Sequence, residues 1–360
     1  MTTDAALLDL QARIRAAAAA KSPLVIRGGG TKDFYGHAIV GEVLDTKPYA
    51  GIIDYDPTEL VITARAGTPL VEIEDALKAS GQMLGCEPPQ FGAGATLGGM
   101  VAAGLSGPRR PHAGAIRDIV LGVRVLDGQA EDLTFGGRVI KNVAGFDLPR
   151  LMTGALGTLG VLTEVSLKCI PLPKMEATRV LACSADEGIR MVRKWGAKPL
   201  PISATCHHAG QLTVRLSGAA PAIKAAETKI GGTLFAAGDA FWTSVREQTH
   251  AHFARATHTA ASLWRLSVKA TTPYTDLGGD QMIEWGGGLR WLVAGAATDA
   301  TQIRVWAKAN GGHATLFRAA DKTVGAFHPQ SQTLHALHRR LKATFDPTGI
   351  LNRGRMYPDF

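Results

Sequence analysis

Apolar and polar positions follow different patterns in the two halves of this chain. In the first half, short apolar runs such as "PLVI" (23–26) and "ELVITARAG" (59–67) are separated by glycines, which is typical of buried strands joined by tight turns. Residues 4–20 predict an N-terminal amphipathic helix. The Thr68-Pro69 pair predicts the start of a second helix, with the threonine as its cap.

Further signals divide the first half from the second. Thr96 precedes "LGGMVAAG" and predicts the cap of a short helix, while Asp127-Gly128 lies between two apolar runs and predicts a hairpin. Pro171 and Pro173 end the last strand of this half, so we place a domain boundary there. The expected domains are residues 1–173, residues 174–330, and a C-terminal helix and tail at 331–360.

The second half alternates more clearly between helices and strands. Strands are expected near 176–182, 211–216, 263–269, 289–294 and 313–318. Helices are expected near 186–195, 220–230, 240–251, 299–310 and 331–344. This alternation predicts an α+β layer with an antiparallel sheet and helices on one face.

Composition narrows the class of protein. The chain has 360 residues, nearly half of them apolar, and no apolar stretch of membrane-spanning length. Its four cysteines contain no C-x-x-C pair, which excludes an iron–sulfur ligand set and fits a reducing cytosol. The net charge of +8 favours an anionic partner, but the basic residues are dispersed and not interleaved with aromatics, so nucleic acid is not expected.

Two glycine-rich segments carry the candidate chemistry: "RGGGTK" (27–32) and "GATLGGMVAAGLSGPRR" (94–110). Neither matches the Gly-Lys-Ser/Thr ending of a P-loop. In the first segment Lys32 follows a threonine instead of a glycine, and no Ser or Thr follows it. Neither completes the dinucleotide-binding pattern G-x-G-x-x-G, because the position of the third glycine is occupied by Leu97 in one segment and by Asp33 in the other. What remains is a pair of backbone-rich loops, each able to direct N–H groups at a phosphate.

Two such loops, together with "GALGTLGV" (154–161), favour a long diphosphate ligand over a single nucleotide. The alternative is that the glycines merely serve tight turns. Arg109 and Arg110 follow the second loop. They either stabilise an anionic cofactor or a substrate carboxylate, or form a solvated surface pair.

Several segments of the sequence resemble a known family. "PLVIRGGGTKDFYG", "GATLGGMVAAGLSGPRRPHAGAIRDIVLGVRVLDGQ" and "GGRVIKNVAGFDLPRLMTGALGTLGVLTEVSLKCIPLP" resemble the FAD-binding domain of the vanillyl-alcohol oxidase / p-cresol methylhydroxylase superfamily. "EWGGGLRWL" (284–292), "GGHATLFRA" (311–319) and "LKATFDPTGILNRGRMYP" (341–358) resemble the FAD-binding E subunits of bacterial glycolate oxidases. The resemblance implies a two-subdomain, p-cresol methylhydroxylase-type α+β fold followed by an α+β cap domain.

The resemblance also implies an FAD site. The loop around the pyrophosphate would be Gly28, Gly29, Gly30, Thr31 and Lys32. The pyrophosphate and flavin side would be lined by Thr96, Leu97, Gly98, Gly99, Ala103, Gly104, Ser106 and Gly107. Asp118 and Ile119 would lie near the adenosine, and Gly157, Gly160 and Val161 would close the site. Lys141 and Asn142 would contact the flavin, unless Lys141 forms an ion pair with Asp147.

Covalent attachment of FAD is not expected. The position at which some relatives carry an attaching thiol is Gly94 here, and the first glycine loop has no histidine, although His112 lies close in sequence. The resemblance implies a second flavin subunit and an iron–sulfur subunit as partners. The chain is accordingly expected in the cytoplasm or, through those partners, peripherally at the inner membrane.

The catalytic candidates are His313 and Arg290. Related 2-hydroxy-acid dehydrogenases carry a histidine-rich metal-binding segment in the cap, but no second histidine lies near His313, so no metal is expected. His207 and His208 are adjacent, so on a strand they would point to opposite faces and make a poor pair of ligands. Arg290, between two tryptophans, either clamps a carboxylate or belongs to a core aromatic cluster.

These observations predict an FAD-binding subunit that takes part in oxidising glycolate to glyoxylate, with the main substrate site on its partner. Two alternatives remain open. One is a stand-alone FAD-dependent 2-hydroxy-acid dehydrogenase of the D-lactate type, and the other is an assembly module without flavin.

Overall fold

The computed structural model describes residues 3–137, 146–258, 261–295 and 298–360. These residues form two compact units. The first unit comprises Met1–Leu105, Ala115–Leu172 and Pro329–Phe360. The second comprises Ser106–Gly114 and Pro173–His328. No helix in the described ranges combines the length and apolar character needed to cross a bilayer.

Helices and strands are numbered here in chain order. The helices are α1 (Thr3–Ala20), α2 (Leu70–Ala79), α3 (Leu97–Ala103), α4 (Arg110–Ala113), α5 (Ile116–Ile119), α6 (Leu148–Met152), α7 (Ala185–Gly196), α8 (Ala220–Ile230), α9 (Gly238–Arg246), α10 (Ala251–His258), α11 (Ala300–Ala309) and α12 (Gln332–Phe345). The strands are β1 (Leu24–Arg27), β2 (Glu42–Asp45), β3 (Ile52–Asp56), β4 (Val61–Arg65), β5 (Gln82–Met83), β6 (Val120–Leu126), β7 (Asp132–Gly136), β8 (Val161–Lys168), β9 (Ile170–Pro171), β10 (Met175–Ala182), β11 (Ile202–His208), β12 (Gln211–Gly218), β13 (Thr233–Leu234), β14 (Ser262–Ser267), β15 (Gly279–Glu284), β16 (Leu289–Ala294) and β17 (His313–Arg318).

The first unit is built on three sheets. Five antiparallel strands are ordered β3-β4-β8-β6-β7, and β1 pairs with β2 in parallel. Helix α2 buries Leu70, Ile73 and Leu77 in the same core as the five-stranded sheet. Helix α1 buries Ala6, Leu10, Ile14 and Ala17, the spacing of one helical face, with Leu24 of β1.

Two of the predicted local signals are confirmed and one is wrong. The Thr96 hydroxyl caps α3 by accepting a hydrogen bond from the Gly99 N–H at 3.3 Å, and a hairpin joins β6 to β7 around Asp127. Thr68 does not cap α2, because its hydroxyl donates to the Arg65 carbonyl at 2.7 Å and accepts from the Gly51 N–H at 2.9 Å. Residue Pro69 occupies the cap position of α2 and makes no side-chain hydrogen bond there.

A buried ion pair anchors the C-terminal tail within the first unit. The Lys342 ammonium lies 2.7 Å from the Asp346 carboxylate and also donates to the carbonyls of Thr158 and Leu351. The carboxylate accepts the N–H groups of Ile350 and Leu351. Every strong donor and acceptor of the pair is therefore used, which is what makes two buried charges tolerable.

The second unit contains an eight-stranded antiparallel sheet ordered β13-β10-β12-β11-β15-β16-β14-β17. The five strands predicted from the sequence are present, and the prediction missed β11, β13 and β15. Helices lie on both faces of the sheet, so the expected single helical face is wrong. Arg290 of β16 stacks on Trp306 of α11, whereas the next residue, Trp291, contacts Phe253 of α10. Successive residues of a strand point to opposite faces.

We expect Asp346→Asn to destabilise the first unit by about 3–5 kcal/mol, because it leaves the Lys342 ammonium buried without a countercharge. Replacing Glu42 by Gln breaks the exposed pair with Arg13 and serves as the control, with an expected cost below about 1 kcal/mol. Urea unfolding should be followed by far-UV circular dichroism. Tryptophan fluorescence does not report on this unit, because all six tryptophans lie in the other one. Equal midpoints for the two variants would contradict the prediction.

Candidate functional site

A cavity of about 540 Å³ lies within the first unit. Its wall is formed by five separate stretches: β1 with the loop after it, residues 38–46, helix α3 with Thr96, the segment from Met152 to Leu162, and the C-terminal tail. The size falls in the range of small-molecule and cofactor sites. Apolar side chains supply much of the wall, among them Ile26, Val43, Met152, Leu156 and Leu162.

The loop after β1 offers unused backbone donors to this cavity. Gly28, Gly29, Gly30 and Thr31 line the cavity, and their four N–H groups have no hydrogen-bond partner among the described residues. Gly30 has a φ of 71°, the left-handed region that favours glycine. A left-handed residue within such a loop turns successive N–H groups toward one side, which makes an anion-binding concavity.

The start of α3 does not offer such donors, contrary to the expectation that both glycine segments do. The Leu97 N–H donates to the Thr68 carbonyl at 2.9 Å, and the Gly98 N–H donates to the Ala66 carbonyl at 2.8 Å. The Gly99 N–H donates to the Thr96 hydroxyl. The first turn of this helix is thus satisfied internally, and its contribution to the cavity is shape.

The glycines serve mainly to bring the two segments together. A Cβ on Gly29 would lie 1.5 Å from the Gly94 carbonyl oxygen, and a Cβ on Gly28 would lie 2.3 Å from the Thr96 hydroxyl. Gly98 is equally constrained, because its Cβ would lie 2.7 Å from that of Ala66. These positions exclude any side chain, so the close approach is between the loops themselves.

Charge at the cavity is predominantly positive. Arg27, Lys32 and Arg355 line it together with one carboxylate, Asp33, which pairs with Arg27 at 2.7 Å. The Lys32 ammonium donates to the Gln90 carbonyl at 3.1 Å. The Arg355 guanidinium donates to the carbonyls of Lys32 and Asp33, so it also holds the loop in place.

Asn352 joins the tail to two other parts of the wall. Its side-chain oxygen accepts the Ile26 N–H at 2.8 Å, and its amide donates to the Leu156 carbonyl at 2.6 Å. Asn352 and Arg355 were not among the cofactor residues predicted from the sequence. The available signal was a polar residue directly after the apolar pair in "GILN", within the segment 341–358 that the resemblance had already singled out.

The structure places the predicted cofactor residues in three groups. The cavity is lined by Gly28, Gly29, Gly30, Thr31, Lys32, Thr96, Gly98, Gly99, Ala103, Gly157 and Gly160. Residues of the same unit that do not line it are Leu97, Gly104, Asp118, Ile119 and Val161. Ser106 and Gly107 belong to the second unit, and Lys141 and Asn142 lie outside the described residues.

The two catalytic candidates do not come together. Arg290 pairs with Leu266, which in turn pairs with Ala314, so these three share one face of the sheet. His313, adjacent to Ala314, points to the other face. The Arg290 guanidinium is fully buried and donates to the carbonyls of Thr272 and Pro273, which fits the core-cluster interpretation better than a carboxylate clamp.

The consecutive arginines are not a solvated surface pair. Arg109 is 6% exposed, forms an ion pair with Glu176 at 2.6 Å and donates to the Ser217 hydroxyl at 3.1 Å. Arg110 stacks on the Trp285 ring, with the guanidinium carbon 4.5 Å from the ring centroid. Both contacts lie within the second unit.

The cavity suits a dinucleotide such as FAD. Its four free N–H groups and its excess of cations match a diphosphate, and its apolar walls match the faces of aromatic rings. None of the cavity-lining residues that the structure describes is a histidine, cysteine or tyrosine.

We expect Gly29→Ala to abolish flavin binding, because a methyl group 1.5 Å from a carbonyl oxygen must push the two loops apart. Gly94→Ala is the matched control from the same contact, since its Cβ would meet the Gly29 oxygen at an ordinary 3.4 Å. The ratio of flavin to protein absorbance should fall at least tenfold in the first variant and stay near the wild-type value in the second. A Gly29→Ala protein with full flavin content would refute this account of the loops.

Comparisons with known proteins agree with this geometry. Residues 6–136 match the FAD binding domain family. The chain is 48% identical over 339 residues to glycolate oxidase subunit GlcE of Escherichia coli (strain K12), covering 94% of both chains. The mitochondrial D-lactate dehydrogenase (cytochrome) 1 of Saccharomyces cerevisiae is 31% identical, over 44% of this chain and 28% of that enzyme.

A solved structure supports the fold. Alkyldihydroxyacetonephosphate synthase superposes with a TM-score of 0.66 at 16% identity, covering 95% of this chain and 73% of that one. The predicted α+β fold of the p-cresol methylhydroxylase type is confirmed by this likeness and by the family match. Because the similarity to GlcE extends over almost the whole of both chains, this chain belongs to the family of glycolate oxidase subunit GlcE.

Proposed function

We propose that this chain is the FAD-binding subunit of a complex that oxidises glycolate to glyoxylate. The observation that carries the proposal is the row of N–H groups from Gly28 to Thr31, which have no partner among the described residues, in a cationic cavity of a chain 48% identical to glycolate oxidase subunit GlcE. The domain roles that we propose are FAD binding by residues 1–173, a cap formed by 174–330, and a tail at 331–360 that supports the cofactor.

In the complex, oxidation would transfer a hydride from the hydroxyl-bearing carbon of the substrate to a flavin, and the flavin that this chain would hold supplies a centre that accepts electrons and passes them on. The chain's own residues bind and orient. The N–H groups of Gly28 to Thr31 hold the diphosphate, and Lys32 and Arg355 offset its negative charge. Asp118, Ile119 and Val161 remain proposed adenosine-side residues, with Lys141 and Asn142 proposed on the flavin side.

We propose that FAD is held without a covalent bond. The absence of histidine, cysteine and tyrosine from the described cavity wall supports this, because attachment needs a nucleophilic side chain beside the ring. Three of the four cysteines, Cys86, Cys169 and Cys206, are buried away from that wall.

The proposed partners are a second flavin subunit and an iron–sulfur subunit. The support is chemical: four cysteines without a clustered spacing cannot ligate an iron–sulfur centre, so electrons that leave the flavin need another carrier. We further propose that the partner carries the main substrate site and that the flavin of this chain is a relay. The opposite orientations of His313 and Arg290 support that division of roles.

Acid denaturation of the purified chain should release intact FAD into the supernatant and leave a colourless pellet. Unfolding disrupts the noncovalent contacts between the protein and FAD, whereas a covalent bond would keep the yellow flavin on the protein. Mass spectrometry of the pellet provides the second measurement, and a mass increase equal to one flavin would contradict noncovalent binding. A chain with no flavin at all, even after FAD is added, would favour the assembly-module alternative.

Glycolate should reduce a dye only in the complex assembled with both partner subunits, and not with this chain alone. His313→Ala should leave turnover by the assembled complex within about twofold of wild type, since the proposed substrate site lies on the partner. Loss of turnover with assembly and FAD retained would contradict the relay role. Reduction of the dye by the isolated chain with glycolate or D-lactate would favour the stand-alone dehydrogenase.

A further inference from the structure

Three side chains with metal-binding groups converge in the second unit, apart from the cavity described above. They are His208 at the end of β11, His252 at the second position of α10, and Asp280 near the start of β15. One ligand atom from each lies within 4.8 Å of the other two. These residues are separated by up to 72 positions along the chain, so no spacing motif reveals them.

The carboxylate of Asp280 is the centre of the cluster. Its Oδ2 lies 3.1 Å from His208 Nε2 and 2.9 Å from His252 Nδ1. Atoms that ligate one Zn²⁺ at about 2.0–2.2 Å in tetrahedral geometry lie about 3.3–3.5 Å apart. These two separations are therefore within a few tenths of an ångström of what a shared cation requires, and the two imidazole nitrogens lie within 4.8 Å of each other.

His252 is the most deeply buried of the three residues. The residue is 1% exposed, so its ring is held in place by the surrounding side chains. The other ring nitrogen, Nε2, has no hydrogen-bond partner among the described residues. In the structure Nδ1 faces the Asp280 carboxylate and donates its proton to it; because Nε2 has no partner within the described ranges, the proton can move to Nε2 when Nδ1 presents its lone pair to a cation.

The rest of the surroundings leaves room for a cation to enter. His208 and Asp280 are only partly buried, so the cluster reaches solvent on one side. Arg255 approaches Asp280 Oδ2 at 3.3 Å from the solvent side, and its side chain is 67% exposed. His207, the neighbour of His208, faces away and bonds to the Cys183 carbonyl, so it does not belong to the cluster.

We propose that His208, His252 and Asp280 form a binding site for a divalent cation of the Zn²⁺ class. Two imidazoles and one carboxylate suit Zn²⁺, Co²⁺ or Fe²⁺, whereas Mg²⁺ and Ca²⁺ prefer oxygen ligands only. The site leaves a fourth position open to water. The cation links β11, β15 and α10, which stabilises the second unit. This site does not involve His313, the histidine that the sequence offered for a metal in the cap.

The test uses the full-length, tag-free chain with its flavin, stripped with EDTA and then titrated with Zn²⁺ in a calorimeter. We expect one tight site per chain that Co²⁺ occupies with a tetrahedral d–d absorption band and that Mg²⁺ does not displace. His208→Ala and Asp280→Asn should each weaken Zn²⁺ binding at least thirtyfold. Since His208 ends its strand and is partly exposed, its variant keeps the test decisive if the Asp280 variant fails to fold.

His335→Ala is the matched control, because His335 and Asp359 form an imidazole–carboxylate pair at 2.7 Å that no third metal-binding side chain joins within the described ranges. It should leave Zn²⁺ binding unchanged. Arg255→Ala should tighten binding severalfold, since it removes a positive charge that competes for Asp280. Zn²⁺ should also raise the melting temperature seen by tryptophan fluorescence in wild type, but not in the His208 and Asp280 variants.

The proposal is overturned if the stripped wild-type chain binds no Zn²⁺ more tightly than His208→Ala does, or if His335→Ala loses the site equally. Neither readout depends on glycolate turnover. Failure of this proposal therefore leaves the proposed function standing, and the reverse also holds.

Discussion

The candidate site depends on one contact between two stretches of backbone. Gly29 approaches the Gly94 carbonyl so closely that even a methyl group cannot be accommodated. This contact fixes the loop after β1 against the entry to α3, and Thr96 then fits into the space left by Gly28. The N–H groups of Gly28 to Thr31 find no partner among the described residues, and these four residues line the cavity. Anion binding in this chain is thus a consequence of loop packing.

The remaining wall depends on the C-terminal tail. Lys342 and Asp346 form a buried ion pair whose side chains also bind backbone carbonyl and N–H groups of the tail. The Lys342 ammonium donates a further hydrogen bond to the Thr158 carbonyl. That arrangement positions Asn352, whose side chain joins β1 to the Leu156 carbonyl. A segment almost 200 residues away in sequence therefore shapes the glycine-rich turn at 154–160. The cost of burying two charges is offset because every polar atom of the pair has a partner.

The sequence predicted the glycine loops, the Thr96 cap and most strands, because each of these depends on neighbouring residues. It could not predict what long-range contacts decide. The glycines indicated a close approach but not its partner, which proved to be the other loop and not only a ligand. Strand β11 was missed because Ser203, Thr205 and His207 make one of its faces polar. In the fold all three side chains are buried, and each forms a hydrogen bond. Arg290 appeared free to bind a substrate only because the carbonyls of Thr272 and Pro273 are invisible in a linear pattern.

The same distinction explains the excess of positive charge. A net charge of +8 suggests an anionic partner only if the cations are exposed. Arg109 is buried against Glu176, and Arg290 is buried against carbonyl oxygens, so neither is available at the surface. At the cavity, by contrast, the wall carries three cations, Arg27, Lys32 and Arg355, and one carboxylate. It also carries four backbone N–H groups that have no partner among the described residues. The basic character that matters is therefore local, and a field confined to one concave site attracts a small multiply charged anion in preference to a polyanion that needs an extended face.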